Sequence, residues 1–352
     1  MTILVSIIIL LPLAAASKVP KDEYTIGWIL ALPIELASAQ AMLDEQHDPP
    51  DFLITSPDDN AYIFGRIGNH NLIITCLPSG RYGTVSAASV ANQMHSTFPA
   101  IQLGLMVGIG GGAPNEAHDI RLGDIVVSMP MGESSGVVQY DFGKTIPGGR
   151  FIWGMSLDGP PLVVLKVLTK LRALHPKIVG NRISTLIQEA SIEDDRFVYP
   201  GYGEDRFFNA RYHHPNGREL SKCEDVCKSS QLVAQPLRKH EFPYVHYGII
   251  ASGNQVMKDG VTRDKITKET GAVCFEMEAA GLVNHFRSLV VRGICDYADS
   301  HKNKEWQAYA AITAAAFTKQ LLHTIDRTAL LSEINYVQKQ RQQNLFFTCS
   351  TP

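Results

Sequence analysis

Long hydrophobic runs are missing from the interior of this sequence. Past residue 17 nothing is apolar for long enough to cross a bilayer as a helix, which excludes a polytopic membrane protein. Cysteine is scarce as well: six in 352 residues rule out a small disulfide-dense scaffold. Charged residues make up only 19% of the chain, below the roughly 25% of an average globular protein, which favours a well-buried α/β core over disorder. No excess of positive charge exists either. The net charge is −3, whereas a nucleic-acid binder needs a basic face. With 45% hydrophobic residues over this length, the chain suits one large domain plus tails, or two small ones.

Several catalytic signatures are absent too. There is no G-x-S-x-G elbow and no H-E-x-x-H pair, so the common serine hydrolase and zinc protease readings lack support. Gly108 to Ala113 matches G-x-G-x-x-A, but Pro114-Asn115 and a loop follow where a dinucleotide site needs a helix. Gly143-Lys144-Thr145 resembles the end of a P-loop, yet the required glycine five positions earlier is Val138.

Residues 2–17 carry no charge and end in Ala14-Ala15-Ala16-Ser17. This reads as a signal-peptide core without its positive n-region, or else as a mis-assigned start or disordered extension. Cys274 and Cys295 lie in apolar strand-like segments and read as buried thiols. Cys223 and Cys227 form a C-x3-C after His213-His214. That spacing fits no standard zinc pattern, so a polar loop is expected there and no metal.

What is present alternates between strand and helix patterns, which indicates an α/β fold on a central sheet. Strands are expected at 25–31, 61–67, 72–77, 103–109, 124–128, 137–140, 247–251, 272–275 and 289–295. Helices are expected at 33–43, 85–94, 161–174, 278–286 and 306–325. Gly68-Asn69-His70 marks a hairpin. Residues 191–243 look like an irregular insertion of mixed charge, weak evidence for phosphate binding. The chain divides into an extension at 1–22, a domain at 23–326 and a tail at 327–352.

Three patches carry chemistry. Ser252 to Met257 follows a strand, at the carboxyl edge where α/β folds place ligands. In Phe275-Glu276-Met277-Glu278, two carboxylates sit where a strand passes into a helix and must meet hydrogen-bond donors, of which a sugar diol is one pair. In Cys295-Asp296-Tyr297-Ala298-Asp299, acids appear as an apolar strand ends, where a desolvated acid becomes a proton donor. Each patch read singly is also an ordinary cap or turn.

Their order resembles the nucleoside phosphorylase superfamily, the 5′-methylthioadenosine/S-adenosylhomocysteine nucleosidases in particular. The likeness runs from about Tyr24 to Ile325. The runs ASGNQVMKDG, CFEMEAAGL and GICDYADSHKNKEW are similar to the phosphorylase-like domains that open many fungal NACHT-type receptors. The resemblance implies a three-layer α/β/α fold with a central mixed, partly barrel-like sheet, and a homo-oligomer. It also implies purine nucleoside or nucleotide as ligand, with no metal or organic cofactor. Location follows as cytoplasmic, or secreted if residues 1–16 are a cleaved signal peptide.

Carried over by position, IGWILALPIEL places Glu35 as the acid that activates water. FEMEA places Glu278 on the ribose hydroxyls and Met277 against sugar and base, with Glu276 also on the sugar side. CDYAD places Asp296 as general acid toward purine N7. SGNQVM places Val256 and Met257 along the base, although Val256 departs from a pattern in which one such residue is aromatic. In LMVGIGGGA, Met106 and Ile109 stand where the superfamily's phosphorylases keep an arginine and a Ser or Thr for phosphate. The amides of Gly110 and Gly111, and Arg81 in a second glycine turn, remain as anion-binding candidates. The missing ligand favours hydrolysis over phosphorolysis. The other readings are a phosphorylase using Arg81 and a catalytically quiet signalling module.

Overall fold

The computed structural model describes residues 19–333, apart from 52, 54–56, 150, 155–156, 216–221 and 285–286. The apolar N-terminal segment at 2–17 and most of the C-terminal tail lie outside these residues. Ten strands form one sheet, and five of them close on themselves. Going round the ring are β5 (Leu103–Gly112), β12 (Ser288–Asp296), β6 (Ile125–Ser128), β10 (Val245–Ser252) and β11 (Ala272–Glu276), which returns to β5. From β5 the sheet continues outward through β1 (Tyr24–Leu30), β4 (His70–Cys76), β3 (Tyr62–Ile67) and β2 (Glu45–His47). β7 (Val137–Gln139) adds to β10, and β8 (Gly143–Thr145) and β9 (Phe151–Trp153) form a separate hairpin.

Strands buried on both faces need near-continuous apolar sequence, and β1, with all seven residues buried, shows it. Its Ile26, Trp28 and Leu30 face α1 (Pro33–Ala41), α3 (Leu162–Ala173), α4 (Pro176–Glu193) and the Ala-rich α8 (Gln307–Thr324). Its Ile29 lies in the opposite core, with α2 (Thr84–Thr97) and α7 (Ala279–Leu282). The result is the expected three-layer α/β/α architecture with a mixed, partly closed sheet.

Two long helices were not read from the pattern, α4 and α6 (Gly260–Thr270), the latter a polar helix with only Gly260 and Arg263 buried, and the short strands β2, β8 and β9 were not read either. The expected helix at 278–286 is shorter, with its helical turn at Ala279–Leu282. The glycines after Ile109 also differ from expectation, since β5 runs on through them to Gly112. Gly110 and Gly111 pair with Ile294 and Asp296 of β12 on one side, while Gly111 and Gly112 pair with Phe275 and Cys274 of β11 on the other. A Cβ on Gly110 would lie 2.6 Å from the Cys274 sulfur, and one on Gly111 would lie 2.7 Å from Asp296 Oδ1. The glycines therefore let three strands converge, and the ring closes there.

β12 also touches α8 through a glycine. A Cβ on Gly293 would sit 1.7 Å from the Ala310 carbonyl oxygen, in helix backbone that has no room to yield. Gly293→Ala is expected to destabilise the protein by at least about 1–3 kcal/mol. Gly203→Ala, where nothing lies within 4 Å, is expected to stay within about 0.5 kcal/mol. Chemical denaturation of both variants checks this; equal stability would show that α8 can shift off the sheet.

Candidate active site

Where the ring closes, a cavity of about 910 Å³ opens. This lies within the usual range for small-molecule sites. Glu35, Glu276, Glu278 and Asp296 all line it, together with Met277, Met257, Val256, Gly110 and Gly111. Segments 35, 256, 278 and 296, far apart in the chain, thus meet in one place. Arg81 does not line the cavity: its side chain is exposed, and its neighbour Tyr82 contributes instead. The second glycine turn reaches the site through its backbone, where Gly83, at φ 96°, points its N–H at Glu278 Oε1, 3.4 Å away.

Glu35 sits in the first turn of α1, 2% exposed. Oε2 accepts from the N–H groups of Ala31 and Leu32 at 2.8 and 2.9 Å, and Oε1 accepts from Ile109 N–H at 2.7 Å. Burial nonetheless pushes its carboxyl above the ordinary glutamate value, with Arg292 and the three amides pulling the other way. Gly108 makes room for it, because a Cβ there would stand 2.1 Å from Oε1.

Arg292 is the residue the sequence reading missed, although an arginine inside the apolar run LVVRGIC was a visible signal. It is 1% exposed. Its Nη2 donates to Glu276 in a short charged hydrogen bond and lies 3.6 Å from Glu278 Oε2. Glu276 also accepts from the N–H groups of Glu278 and Ala279, so its oxygens are engaged by the protein itself. Glu278 carries the lighter set of contacts. Burial, then the neighbouring Glu276, push its pKa up to about 7. Burial works against Arg292's own charge, but Glu276, Glu278 and Glu35 outweigh it and hold the guanidinium more firmly protonated than usual.

Asp296 Oδ1 accepts from Ala298 N–H at 2.8 Å and from the Lys302 ammonium at 2.9 Å. Oδ2 faces the Cys295 thiol at 3.3 Å. Ala298 holds a left-handed backbone at φ 53°, a strained conformation for a residue with a side chain, costing on the order of 1–2 kcal/mol. That turn brings Lys302 back over Asp296. Sequence gave no sign of Lys302, because the pairing depends on the path of the loop. The cavity wall near the base candidates Val256 (54% exposed) and Met257 is supplemented by Phe275, Tyr297 and Tyr82. From the irregular stretch at 191–243, Arg206 and Lys222 line the cavity, paired with Glu224 at 3.3 Å and Glu305 at 3.2 Å.

With this geometry in place, comparison with known proteins is informative. No protein-family profile matches the chain. A nucleotide-binding leucine-rich repeat (NLR)-like protein of Hyaloscypha variabilis is 45% identical over 313 residues, covering 88% of this chain. The chain spans only 30% of that relative's length. Among solved structures, a Helicobacter pylori 5′-methylthioadenosine/S-adenosylhomocysteine nucleosidase variant with 5′-methylthioadenosine in its active site superposes with a TM-score of 0.52. Identity is 16%, over 85% of this chain and 98% of that one. The Neisseria meningitidis nucleosidase with methylthio-immucillin-A gives 0.53 at 15% identity, over 85% and 99%. Helicobacter pylori futalosine hydrolase gives 0.51 at 17%, over 85% and 97%. The chain has the nucleoside phosphorylase/nucleosidase fold. The resemblance read from its motifs is borne out at that level, and the NLR-like relative agrees with the receptor likeness.

Removing Arg292 would leave three buried carboxylates without a cation. Arg292→Met is expected to cost about 3–5 kcal/mol at pH 7.5. The sign with pH follows from protonation. Glu278 and Glu35 already bind their protons more tightly folded than unfolded, and losing the arginine, which lowers both, raises them further. As pH falls from about 7 toward the ordinary glutamate value, the folded variant takes up protons that the unfolded chain does not. The deficit should therefore shrink on acidification. A denaturation series across that window checks it, and a deficit constant with pH would contradict the electrostatic account.

Proposed function

We propose that the chain is a purine N-glycosidase that cleaves a nucleoside or nucleotide by hydrolysis. The observation that carries this is the charge at the sugar end of the cavity. One arginine there faces three glutamates and is bonded to one of them, so that end holds no surplus cation. Such a surface offers an attacking phosphate no counter-charge and favours the positive charge that builds on a ribose as its base departs. The positions of the phosphorylase arginine and hydroxyl remain Met106, fully buried in the core, and Ile109, whose N–H serves Glu35.

In this reading Glu278 grips the ribose diol, since Glu276 is held by Arg292 and backbone amides. Met277 packs along the sugar. Asp296 gives a proton to purine N7 from Oδ2, while Lys302 and Ala298 N–H hold Oδ1. The glycosidic electrons pass to the base. Glu35 takes a proton from water as that water bonds to C1′ on the opposite face. The products are free purine and the 1-hydroxy sugar. Each proton transfer supplies about 10²–10⁴-fold. Val256, Met257 and the aromatic groups of Phe275, Tyr297 and Tyr82 enclose the base. The phosphates of a nucleotide would meet Arg206 and Lys222.

The test is product identification over a panel of purine nucleosides and nucleotides, with and without phosphate. Hydrolysis predicts free base and unphosphorylated C1 in both buffers. Asp296→Asn and Glu35→Gln should each lower kcat by about 10²-fold or more without loss of fold. A sugar 1-phosphate formed only with phosphate would replace hydrolysis by phosphorolysis. No product across the panel would favour a binding module. Full turnover in either variant would remove that residue from the mechanism.

A further inference from the structure

Behind one wall of the cavity the structure gathers a second set of groups. His214, Cys223 and Cys227 each present one ligand atom within 4.8 Å of the others. The spacing C-x3-C alone suggested no metal. Two features change that reading: α5 (Cys223–Val226) brings both sulfurs to one side a helical turn apart, and His214, rather than His213, is carried beside them. Two thiols and one imidazole make a soft donor set of the kind that selects zinc.

A further histidine, His301, lies outside that 4.8 Å group but touches it through its carbonyl and its ring. His301 is 8% exposed, and neither ring nitrogen has a hydrogen-bond partner. Its ring stacks against Phe208 and Tyr212, with centroids at 4.2 and 5.4 Å, and meets the His214 ring edge-on at 5.8 Å. Asp299 Oδ1 lies 3.5 Å from His301 Nδ1, the relation in which a carboxylate orients a metal-binding imidazole and leaves Nε2 for the metal. With Nδ1 facing Asp299, the buried Nε2 is left without a partner, which is costly, and a metal would satisfy it. The Cys223 thiol points at the His301 carbonyl at 3.9 Å, and His214 N–H donates to Ser300 Oγ at 2.9 Å, so the insertion and the loop after β12 already touch at this point.

We propose that His214, Cys223, Cys227 and His301 form a structural zinc site that pins the insertion to the loop following Asp296. Both cysteines bind as thiolates, so loading the metal releases two protons to solvent. Because Cys223 and His301 also line the cavity, the metal would fix one of its walls. The proposal stands apart from the reaction assigned above.

The experiment uses the full chain purified without chelator, its metal content read by plasma mass spectrometry. About one zinc per chain is expected, removable by excess chelator. Reloading with Co²⁺ should give a thiolate-to-cobalt charge-transfer band and tetrahedral d–d absorption. Cys227→Ser should halve the charge-transfer band, and His301→Ala should weaken zinc binding about tenfold or more while keeping that band. In case a variant does not fold, alkylation is read on the wild type: zinc should protect Cys223 and Cys227 but leave Cys76 unchanged. Three results would overturn the site: no retained metal with alkylation indifferent to zinc, a Cys223–Cys227 disulfide that persists when metal is offered to reduced protein, or undiminished zinc in Cys227→Ser. Unchanged affinity in His301→Ala would remove His301 as the fourth ligand.

Discussion

The guanidinium of Arg292 sits inside β12, bonded to Glu276 and facing Glu278, with Glu35 held across Gly108. Four ionisable groups in so little space are stable only as a set. Any one glutamate taken alone would be a buried charge costing several kcal/mol, and the arginine alone would be no better. Together they fix each other's positions and leave no surplus positive charge. Glu276 takes the arginine's Nη2 hydrogen bond along with two backbone N–H groups. Glu278 is left partly compensated, its pKa near 7, and is the carboxyl with capacity to meet a ligand. Division of labour between adjacent glutamates thus follows from which one the arginine reaches first.

Backbone geometry makes this arrangement possible. Side chains at Gly108, Gly110 or Gly111 would collide with Glu35, Cys274 or Asp296. Their absence lets β5 lie against β11 and β12 at once, so the strand ends bearing Glu276 and Asp296 arrive at one rim. The same glycines that resemble a nucleotide-binding turn in sequence act here as strand positions. Their function is close approach, and the ring closes because of it. α1 then delivers Glu35 from outside the ring, with the amide of Ile109 as its anchor.

Much of this was legible in advance because the deciding signals are local. β1, β3, β4, β5, β10 and β12 announce themselves as apolar runs, and Gly68 with φ 57° makes the β3–β4 hairpin that the sequence suggested. Glu35, Glu278 and Asp296 were expected around one sugar because the order of their motifs resembles the nucleoside phosphorylase superfamily, and all three line the cavity. Arg292 was overlooked although its setting in an apolar strand advertised it. Lys302 could not be found that way, since its contact with Asp296 depends on the left-handed turn at Ala298. α6 escaped because nearly all of it faces outward, leaving little apolar periodicity to read. Arg81 had the right residue type in the right kind of turn, but the turn offers its Gly83 amide to the cavity and sends the arginine side chain to solvent.

At the centre of the account is the claim that Glu278 holds the sugar while Asp296 meets the base. A crystal structure with a purine C-nucleoside, whose carbon–carbon glycosidic bond cannot be cleaved, tests it directly. The account predicts ribose hydroxyls within hydrogen-bond distance of Glu278, the N7 edge of the base on Asp296, and a water between Glu35 and C1′. An analogue bound outside this cavity, or turned with its base toward Arg292 and its sugar toward Lys302, would contradict it.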